Sequence, residues 1–400
     1  MKNQYKIAIV GGGASGMLCA VELLLDGVFS GNDIVILEKN DRVGKKLLAT
    51  GNGQCNLCNE NLRKEFYHGN KKFVQQTLQT IIQTDVCGYL SRMGLVLTTG
   101  KDGKVYPMSK QATAVLDVLR AFLYQKGCNI ITSCGVKCIK KGKQGFVLQT
   151  EQGDFYANKT VLAFGGSAGK QFGTDGSSYS LATNFGHQLT ELYPSLVQLK
   201  TSTNTIKGFK GLKETATVYA YDGESLVSQS TGDLLFTEFG VSGSTIFQVS
   251  SYLVNAKNPK IVISFAPELT PLQLEKVIQS RMEKSFIERE DLLSSIINKK
   301  IGQAIYRSDK EKSVKSLSYA LKNFTLKITG TLGFNYAQVT KGGIKTDTIC
   351  PKTYQSQLVD GLYIIGEALN VDGDCGGYNL AFAFASGIAS AKNIKSNIKS

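Results

Sequence analysis

The 400-residue chain is predicted to adopt an α/β fold in which a discontinuous domain surrounds an insertion. The first observation is that an apolar strand at residues 7–10 runs into glycines and then an apolar helical segment. The second is that strand, glycine-rich loop and apolar helix recur from residue 361 onward. Between them, residues 190–266 alternate apolar and polar residues as antiparallel strands do, and residues 271–323 have helical spacing.

The first strand–helix junction carries a dinucleotide-binding fingerprint, Gly11-x-Gly13-x-x-Gly16. Gly11 permits a sharp turn off the strand, and Gly13 permits backbone to approach a pyrophosphate. Gly16 lets the helix pack on the sheet, so that its N-terminal N–H groups point at the phosphates. Glu38 ends the next apolar run, where an acid accepts hydrogen bonds from ribose hydroxyls. Strand, glycines, helix, second strand and acid in this order predict dinucleotide binding.

Three later segments predict further backbone contact with a ligand. Residues 41–59 are rich in Gly and Asn and are expected to form a long loop, which compact domains rarely keep without a functional reason. The strand at 160–164 leads into Gly165 and Gly166. Residues 366–380 place a second helix N-terminus, positive in its dipole, after a glycine-rich loop.

The formal net charge is +14, and residues 1–189 hold 22 Lys and Arg against 13 Asp and Glu. Such an excess favours attraction to nucleic acid or another anionic surface. Only 7 of the 46 basic residues are Arg, and abundant Lys is equally typical of a low-GC genome. Both interpretations stay open at this point.

Composition predicts a cytoplasmic protein with no membrane partner, since 42% of residues are hydrophobic and 20% charged. Residues 7–25 are apolar enough to suggest a signal segment, but Glu22 and four glycines within them argue against it. Nine cysteines follow no regular framework, which predicts reduced thiols. Cys55-x-x-Cys58 leaves a redox pair open. No metal site is expected, because there is no second C-x-x-C and only two histidines.

Five segments together resemble the aminoacetone oxidase-like family of FAD-binding bacterial flavoproteins. They are residues 11–16, 45–56, 232–243, 339–343 and 366–380, in that order along essentially the whole chain. The family also includes a large-subunit ribosomal RNA dihydrouridine synthase and flavoproteins associated with bile acids. Three positions depart from the family pattern: Gln54 replaces an Arg, Cys58 a Thr or Ser, and Glu238 often a His. The first two lie in the expected flavin loop, so they weaken the transfer of a specific activity.

The resemblance implies FAD on a Rossmann-type domain, with a β-barrel-like domain and a small helical domain in the insertion. The expected ranges are 1–190 with 340–400 for the FAD domain, 191–269 with 324–339 for the β-rich domain, and 270–323 for the helical domain. Only one dinucleotide fingerprint is present, so NADH or NADPH is expected only as a transient reductant. The residues expected to bind FAD are Gly11, Gly13, Ala14, Ser15, Gly16, Glu38, Lys39, Lys46, Leu47, Thr50, Gly51, Asn52, Gly53, Asn56, Val136, Gly165, Gly166, Gly366, Glu367, Asp372, Gly376, Gly377, Tyr378, Asn379 and Leu380.

Three functions are considered for an FAD-dependent oxidoreductase chain of this kind. In the first, reduced flavin passes hydride from N5 to C6 of a uracil in ribosomal RNA, and an acid protonates C5 to give dihydrouridine. Cysteine suits that acid near neutrality, and Cys55 and Cys375 are the candidates; a small residue packed beside the cofactor is the alternative role for each. The second function is a small-molecule amine oxidase that produces hydrogen peroxide. The third, a non-catalytic FAD binder, is disfavoured by two intact cofactor loops. Charge and family precedent favour the RNA hypothesis.

Overall fold

The computed structural model describes residues 3–100 and 102–397. In chain order its strands are β1 (Gln4–Val10), β2 (Ile34–Leu37), β3 (Cys58–Asn59), β4 (Tyr67–Gly69), β5 (Leu97–Thr99), β6 (Lys104–Pro107), β7 (Asn129–Ile131), β8 (Val136–Gly142), β9 (Gly145–Thr150), β10 (Gly153–Leu162), β11 (Tyr193–Ser195), β12 (Leu199–Thr201), β13 (Lys213–Asp222), β14 (Ser225–Phe236), β15 (Gly240–Ser242), β16 (Pro259–Phe265), β17 (Phe324–Thr331), β18 (Val339–Lys341), β19 (Leu362–Ile364) and β20 (Val371–Gly373). Its α-helices are α1 (Ala14–Leu25), α2 (Lys45–Ala49), α3 (Lys71–Thr84), α4 (Val86–Arg92), α5 (Ala112–Gln125), α6 (Ser180–Thr183), α7 (Ser244–Leu253), α8 (Pro271–Met282), α9 (Lys299–Ser308), α10 (Val314–Lys322) and α11 (Tyr378–Ser396). Short 3-10 helices lie at Gly31–Asp33, Thr50–Gly53, Lys64–Phe66, Lys170–Phe172, Ser177–Tyr179, Arg289–Asp291, Thr346–Thr348 and Gly366–Ala368.

The chain divides into two compact units, one that runs up to Tyr193 and resumes at Gln338, and one at Pro194–Ala337. The first is built on a sheet ordered β7-β2-β1-β10, with parallel pairing throughout. The C-terminal half of β10 pairs in parallel with β19, and its N-terminal half continues antiparallel into β9 and β8. Short apolar strands buried on both faces are what a parallel sheet covered by helices requires. The predicted Rossmann-type α/β fold is confirmed.

Helices α1 and α11 pack together in the core of this unit, and a buried ion pair joins them. Lys395 Nζ lies 2.6 Å from Glu22 Oε1 and 3.1 Å from Asp26 Oδ2, and it also donates to the Glu22 carbonyl at 2.9 Å. The Lys395 and Glu22 side chains are 10% and 5% exposed. The charge within the apolar first helix is therefore compensated by the last helix. Within residues 3–100 and 102–397, no helix is long and apolar enough to cross a membrane.

The second unit contains a closed barrel ordered β12-β15-β14-β13-β16-β17. Alternate residues of its strands point inward and fill the interior with apolar side chains, for example Val218, Phe236 and Ile263, each fully buried. Helices α8, α9 and α10 contribute apolar side chains to the same core cluster. Thr270 caps α8 with a reciprocal capping box ahead of Pro271. A separate helical domain at 270–323 stays a prediction.

Three local features differ from what the sequence suggests. Residues 73–98 have helical spacing, but the helix is interrupted at Asp85, a left-handed residue (φ 44°) that ends α3 and whose side chain caps α4. The segment at 190–266 is not all β, because α7 lies within it. The loop at 41–59 contains α2 and a 3-10 turn. Helices α2 and α7 are too short for their apolar periodicity to stand out from the neighbouring segments.

The expectation that all cysteines are reduced thiols is wrong for two of the nine. Cys58 of β3 is disulfide-bonded to Cys87 of α4, 29 residues away, and the other seven form no disulfide within the described residues. The pairing depends on tertiary contact between a strand and a helix, which the cysteine spacing does not reveal. It also leaves Cys55 without Cys58 as a dithiol partner.

The ion pair between α1 and α11 predicts that two lysines of α11 contribute very differently to the free energy of unfolding. Lys395→Met should lower the free energy of unfolding by about 3–5 kcal/mol, because it leaves the Glu22 carboxylate buried and unpaired. Lys392→Met removes an exposed lysine from the same helix and should change stability by less than about 0.5 kcal/mol. Urea denaturation measures both. Equal effects of the two substitutions would contradict the ion-pair assignment.

Candidate FAD and active site

The β1–α1 junction has the geometry of a pyrophosphate site. Gly11 has φ +107°, and a Cβ there would lie 2.5 Å from the Ala163 carbonyl oxygen, while a Cβ at Gly16 would lie 2.0 Å from the Gly11 oxygen. Gly13, by contrast, borders open space, since a Cβ there would meet no atom of the described residues within 4 Å. Gly11 and Gly16 are therefore needed for packing within the chain. Gly13 faces space that a phosphate group fits, next to Ala14 at the start of α1.

Glu38 is held in place at the end of β2, where a ribose-binding acid belongs. Its side chain is 7% exposed. Oε2 accepts a hydrogen bond from the Gly12 amide at 2.8 Å, and Oε1 accepts from Asn40 N and Nδ2 at 2.8 and 2.7 Å. Val136 begins β8 close by, just after Cys134, whose amide donates to the Glu38 carbonyl at 2.8 Å. Predicted Lys39 is instead ion-paired with Asp175 at 3.0 Å.

A hydrogen-bond network ties three glycine-containing loops together beside this junction. Glu367 Oε2 accepts from Lys46 Nζ at 2.7 Å, and Glu367 Oε1 accepts from the Thr340 amide at 2.9 Å. Thr340 Oγ1 accepts from the amides of Ser167 and Ala168 at 2.7 and 2.9 Å. A Cβ at Gly166 would lie 2.4 Å from Thr340 Oγ1, so this position requires glycine.

Two more predicted glycines lie close to this network. Gly165 has φ +80°, and its neighbour Gly166 completes the turn after β10. A Cβ at Gly366 would lie 2.6 Å from Ser15 Oγ, so the predicted residue Ser15 packs against the start of the last motif. Segments from opposite ends of the chain thus meet at one site.

The expected flavin loop is a run of left-handed residues. Gly51, Asn52, Gly53 and Cys55 have φ of 57°, 53°, 83° and 56°. The loop closes where Cys55 N donates to the Thr50 carbonyl at 3.0 Å. Asn and Cys adopt this conformation only at a cost, and such strain clusters at ligand sites.

The N-terminus of α11 packs against this loop. A Cβ at Gly377 (φ +96°) would lie 2.5 Å from the Cys58 carbonyl oxygen and 2.7 Å from Asn56 Oδ1. Asn56 Oδ1 is buried and accepts no hydrogen bond from any described residue. A buried acceptor with no partner in the chain is open to a donor from water or from a ligand, and N–H groups of an isoalloxazine ring fit that role. Together with the space at Gly13, the residues fit FAD.

The remaining predicted residues stabilise these two loops. Asn379 clamps the turn before α11, because its Oδ1 accepts from Gly373 N at 2.8 Å and its Nδ2 donates to Gly373 O at 2.7 Å. Tyr378 stacks on Phe66 at 4.9 Å between ring centroids and is 5% exposed, so it packs in the core. Gly376 has φ +149° and lies under the Tyr378 ring. Leu47 is buried and Leu380 half-buried.

The two candidate acids have different surroundings. Cys55 is fully buried, and burial raises its pKa to about 11 although a hydrogen bond with Thr50 opposes this. Cys375 is half-buried, in the turn between Asp374 and Gly376. Burial raises its pKa, the charge of Lys104 opposes the rise, and the charge of Asp374 adds to it. Both thiols are therefore protonated at neutral pH, and only Cys375 has a nearby cation to stabilise its thiolate.

Sequence analysis missed His68, which lies directly opposite Asp372 in the antiparallel β4–β20 pair. His68 Nδ1 is 3.0 Å from Asp372 Oδ2, and Nε2 is 3.3 Å from Asp374 Oδ1. Burial lowers the pKa of His68, but hydrogen bonds to the two carboxylates and their charges outweigh it and raise the pKa to about 9. The Asp-x-Asp spacing before the last helix was the one sequence signal for a cation at this place. It could not identify His68 as that cation, because the pairing of β4 with β20 is not visible in the sequence.

Comparison with known proteins agrees with this architecture. The family described as HI0933-like protein Rossmann domain matches residues 5–393. A 3-dehydro-bile acid delta(4,6)-reductase of Clostridium scindens is 36% identical over 96% of this chain and 97% of that protein. A ribosomal RNA dihydrouridine synthase of Haemophilus influenzae is 27% identical over 98% and 99%. The structure of 3-ketosteroid-delta4-(5alpha)-dehydrogenase from Rhodococcus jostii RHA1 shares the fold, with a TM-score of 0.53, 16% identity, and coverage of 97% and 96%.

The fold and this site define an FAD-dependent oxidoreductase, as the sequence predicts. The chain belongs to the HI0933-like Rossmann family, whose match spans nearly its whole length. The predicted family grouping is confirmed, since the two relatives are a bile-acid reductase and a ribosomal RNA dihydrouridine synthase.

Filling the space beside Gly13 should separate cofactor binding from folding. Gly13 has φ −81°, which alanine adopts readily, so Gly13→Ala should leave the melting temperature of the FAD-free protein unchanged. The added methyl group occupies the phosphate position, and the Kd for FAD should rise at least about tenfold. Flavin fluorescence quenching measures it. Gly142→Ala on the β8–β9 hairpin, where a Cβ meets only the Gly145 oxygen at 3.8 Å, is the control. Unchanged FAD affinity in Gly13→Ala would contradict the assignment.

The His68 environment predicts a pH-dependent contribution to stability. Because the folded-state pKa of about 9 exceeds the ordinary 6.5, the contribution is fully present below pH 6.5 and is lost as pH rises through 9. It amounts to about 2–3 kcal/mol. Urea denaturation from pH 6 to 10 should show this loss in the wild type relative to His68→Gln. His187→Gln is the control, since burial lowers the pKa of His187. A constant difference between wild type and His68→Gln would refute it.

Proposed function

We propose that this enzyme reduces a carbon–carbon double bond conjugated to a carbonyl group, and that the bond is C5=C6 of a uridine in large-subunit ribosomal RNA. The observation that carries the proposal is chemical likeness between two full-length relatives. A delta(4,6)-reductase of a 3-dehydro-bile acid and a dihydrouridine synthase both act on an alkene conjugated to a carbonyl. Such a reduction adds a hydride equivalent to an electron-poor carbon of the conjugated system and a proton to the neighbouring carbon.

Bound FAD would supply the hydride, from flavin N5, while the chain binds, orients and protonates the substrate. The glycine loops at Gly13 and Gly166 would hold the pyrophosphate end, and the loop at 51–55 with the N-terminus of α11 would hold the ring end. We assign the proton donor to Cys375, which is protonated at neutral pH and has the Lys104 charge near it to stabilise the thiolate left behind. Cys55 is the weaker candidate, because its side chain is fully buried.

Charge supports RNA as the substrate. Four lysines of the β8–β9 hairpin, Lys137, Lys140, Lys141 and Lys143, are exposed and contribute to the basic excess of the first half of the chain. Lysine-rich surfaces bind the phosphate backbone without sequence preference, and such binding weakens steeply with salt. NADH or NADPH is the proposed transient reductant. A ribosomal substrate agrees with the cytoplasmic location that the composition predicts.

A bile-acid-like substrate is the second candidate, because the reductase relative is the more similar of the two at 36% identity. It needs no basic surface, and its reaction uses the same proton donor. Neither the reductase nor the synthase is named for amine oxidation. The amine oxidase hypothesis therefore depends only on the resemblance seen in the sequence.

Position-specific mapping of dihydrouridine in large-subunit ribosomal RNA tests the proposal. Deletion of the gene should remove one site. The wild-type gene and Gly142→Ala should restore it, while Gly13→Ala and Cys375→Ala should not, because one binds FAD poorly and the other lacks the acid. If Cys375→Ala restores the site, the proposed reaction stands, but Cys375 is not its proton donor.

An unchanged modification pattern on deletion would overturn the RNA substrate. The purified holoenzyme with NADH or NADPH would then be assayed against a 3-oxo-Δ4,6 steroid acid. Reduction there, with no change in ribosomal RNA, would support the second candidate. If neither ribosomal RNA nor the steroid acid is reduced and the enzyme produces hydrogen peroxide in the presence of an amine, the amine oxidase hypothesis would replace both candidates.

A further inference from the structure

We propose that His68 is a positioning residue at the ring end of the proposed FAD site, and that reduction of the cofactor makes its imidazole take up a second proton at alkaline pH. The inference rests on the proposed FAD site at the N-terminus of α11. It concerns no particular substrate.

The protonation state follows from geometry. Both ring nitrogens of His68 face carboxylate oxygens, at 3.0 Å to Asp372 and 3.3 Å to Asp374. Ionised carboxylates only accept hydrogen bonds, so both nitrogens donate and the ring is an imidazolium. Asp372 and Asp374 side chains are 2% and 6% exposed, and that of His68 is 19% exposed. Two buried carboxylates need such a partner, and the ring still reaches solvent for proton exchange.

The strand pairing fixes this group close to the cofactor loop. Asp372 is paired with His68 across β4 and β20, and Asp374 continues the pairing, its amide donating to the Phe66 carbonyl at 2.9 Å. Asn379 in the first turn of α11 bonds both main-chain groups of Gly373. His68 is therefore fixed to the segment that leads directly into Gly376 and Gly377, so a change of its charge is felt at the N-terminus of α11.

Other titratable groups surround the three residues. The charge of Asp372 reaches Lys341 of β18, whose pKa burial lowers. Asp374 acts on Cys375 and Tyr378, and its effect raises the pKa of both in addition to their burial. On the far side of Cys375 lies Lys104 of β6. Tyr67, next to His68 in β4, is buried with a raised pKa. Among these groups, His68 is the one whose ring is held between two carboxylates.

Reduction of the cofactor and titration of His68 are then linked. Two electrons and one proton convert the oxidised cofactor to its anionic reduced form, and the negative charge develops on the pyrimidine side of the ring. That charge strengthens the hold of His68 on its proton. In the pH range where His68 starts to lose its proton in the oxidised protein, reduction returns it. Two protons then accompany two electrons, one on the flavin and one on the imidazole.

The midpoint potential of the bound flavin, measured from pH 6 to 10 against reference dyes, tests this. It uses purified holoenzyme, a chemical reductant and no substrate, so failure of the RNA proposal leaves it intact. Above about pH 8 the wild-type potential should fall more steeply with pH than that of a chain that takes up no second proton, so the slope is the discriminating quantity. The wild-type slope should exceed that of His68→Gln by up to about 30 mV per pH unit, the value for one extra proton per two electrons. His187→Gln should follow the wild type, because its ring bonds only Thr348 and Ser356 hydroxyls at 2.9 Å.

A second variant keeps the inference testable if His68→Gln does not retain FAD. Asp374→Asn keeps the imidazole but removes one of its carboxylates, so the steep region should begin at lower pH than in the wild type. Parallel curves for wild type and His68→Gln overturn the inference. If His68→Gln binds no FAD, coincident curves for wild type and Asp374→Asn overturn it.

Discussion

The parallel register of β1, β10 and β19 is the constraint on which the site depends. Val10 is paired with Leu162, and Leu162 with Ile364. The three strands therefore end together, and the loops that follow them leave from the same edge of the sheet. In open parallel sheets, ligands bind at the carboxyl ends of the strands for this reason. A register shift in either pair would separate the loops and invert the faces of the strands.

Close backbone approach is what the glycines at this edge provide. At Gly166 and Gly377 the neighbour that a Cβ would meet comes from a distant part of the chain, Thr340 in one case and Cys58 in the other. These glycines thus allow segments distant in sequence to pack closely, and they do not serve to make the backbone flexible. Where the approach leaves room, as at Gly13, or an unpaired acceptor, as at Asn56, the chain has kept a place for a ligand. Packing and function use neighbouring positions of the same motifs.

Electrostatics divides the site in two. The proposed pyrophosphate end has a carboxylate and a lysine already paired, Glu367 with Lys46 at 2.7 Å. The proposed ring end has the half-buried His68 between two aspartates, and the charge of Lys104 acts on Cys375 next to the second aspartate. The positive dipole end of α11 would favour the reduced cofactor there. In this proposal, one end of the site influences both the redox balance and the proton supply.

Sequence predicted the elements whose residues lie next to each other in the chain. The Gly11–Gly16 junction, the left-handed loop around Asn52 and the helix after Gly377 each have a local pattern with a physical reason. Pairings across the chain had no local pattern: His68 with Asp372, Cys58 with Cys87, and Lys395 with Glu22 depend on strand order and helix packing. Helix α7 was missed because ten residues between strands carry too little periodicity.

The most direct test of the central claim is to identify the flavin released when the purified protein is denatured, by chromatography and absorbance. One FAD per chain is the predicted result, because in the proposed site Gly13 and Glu38 bind the dinucleotide and the N-terminus of α11 binds the ring. Release of FMN, or failure to bind any flavin after incubation with FAD, would contradict it.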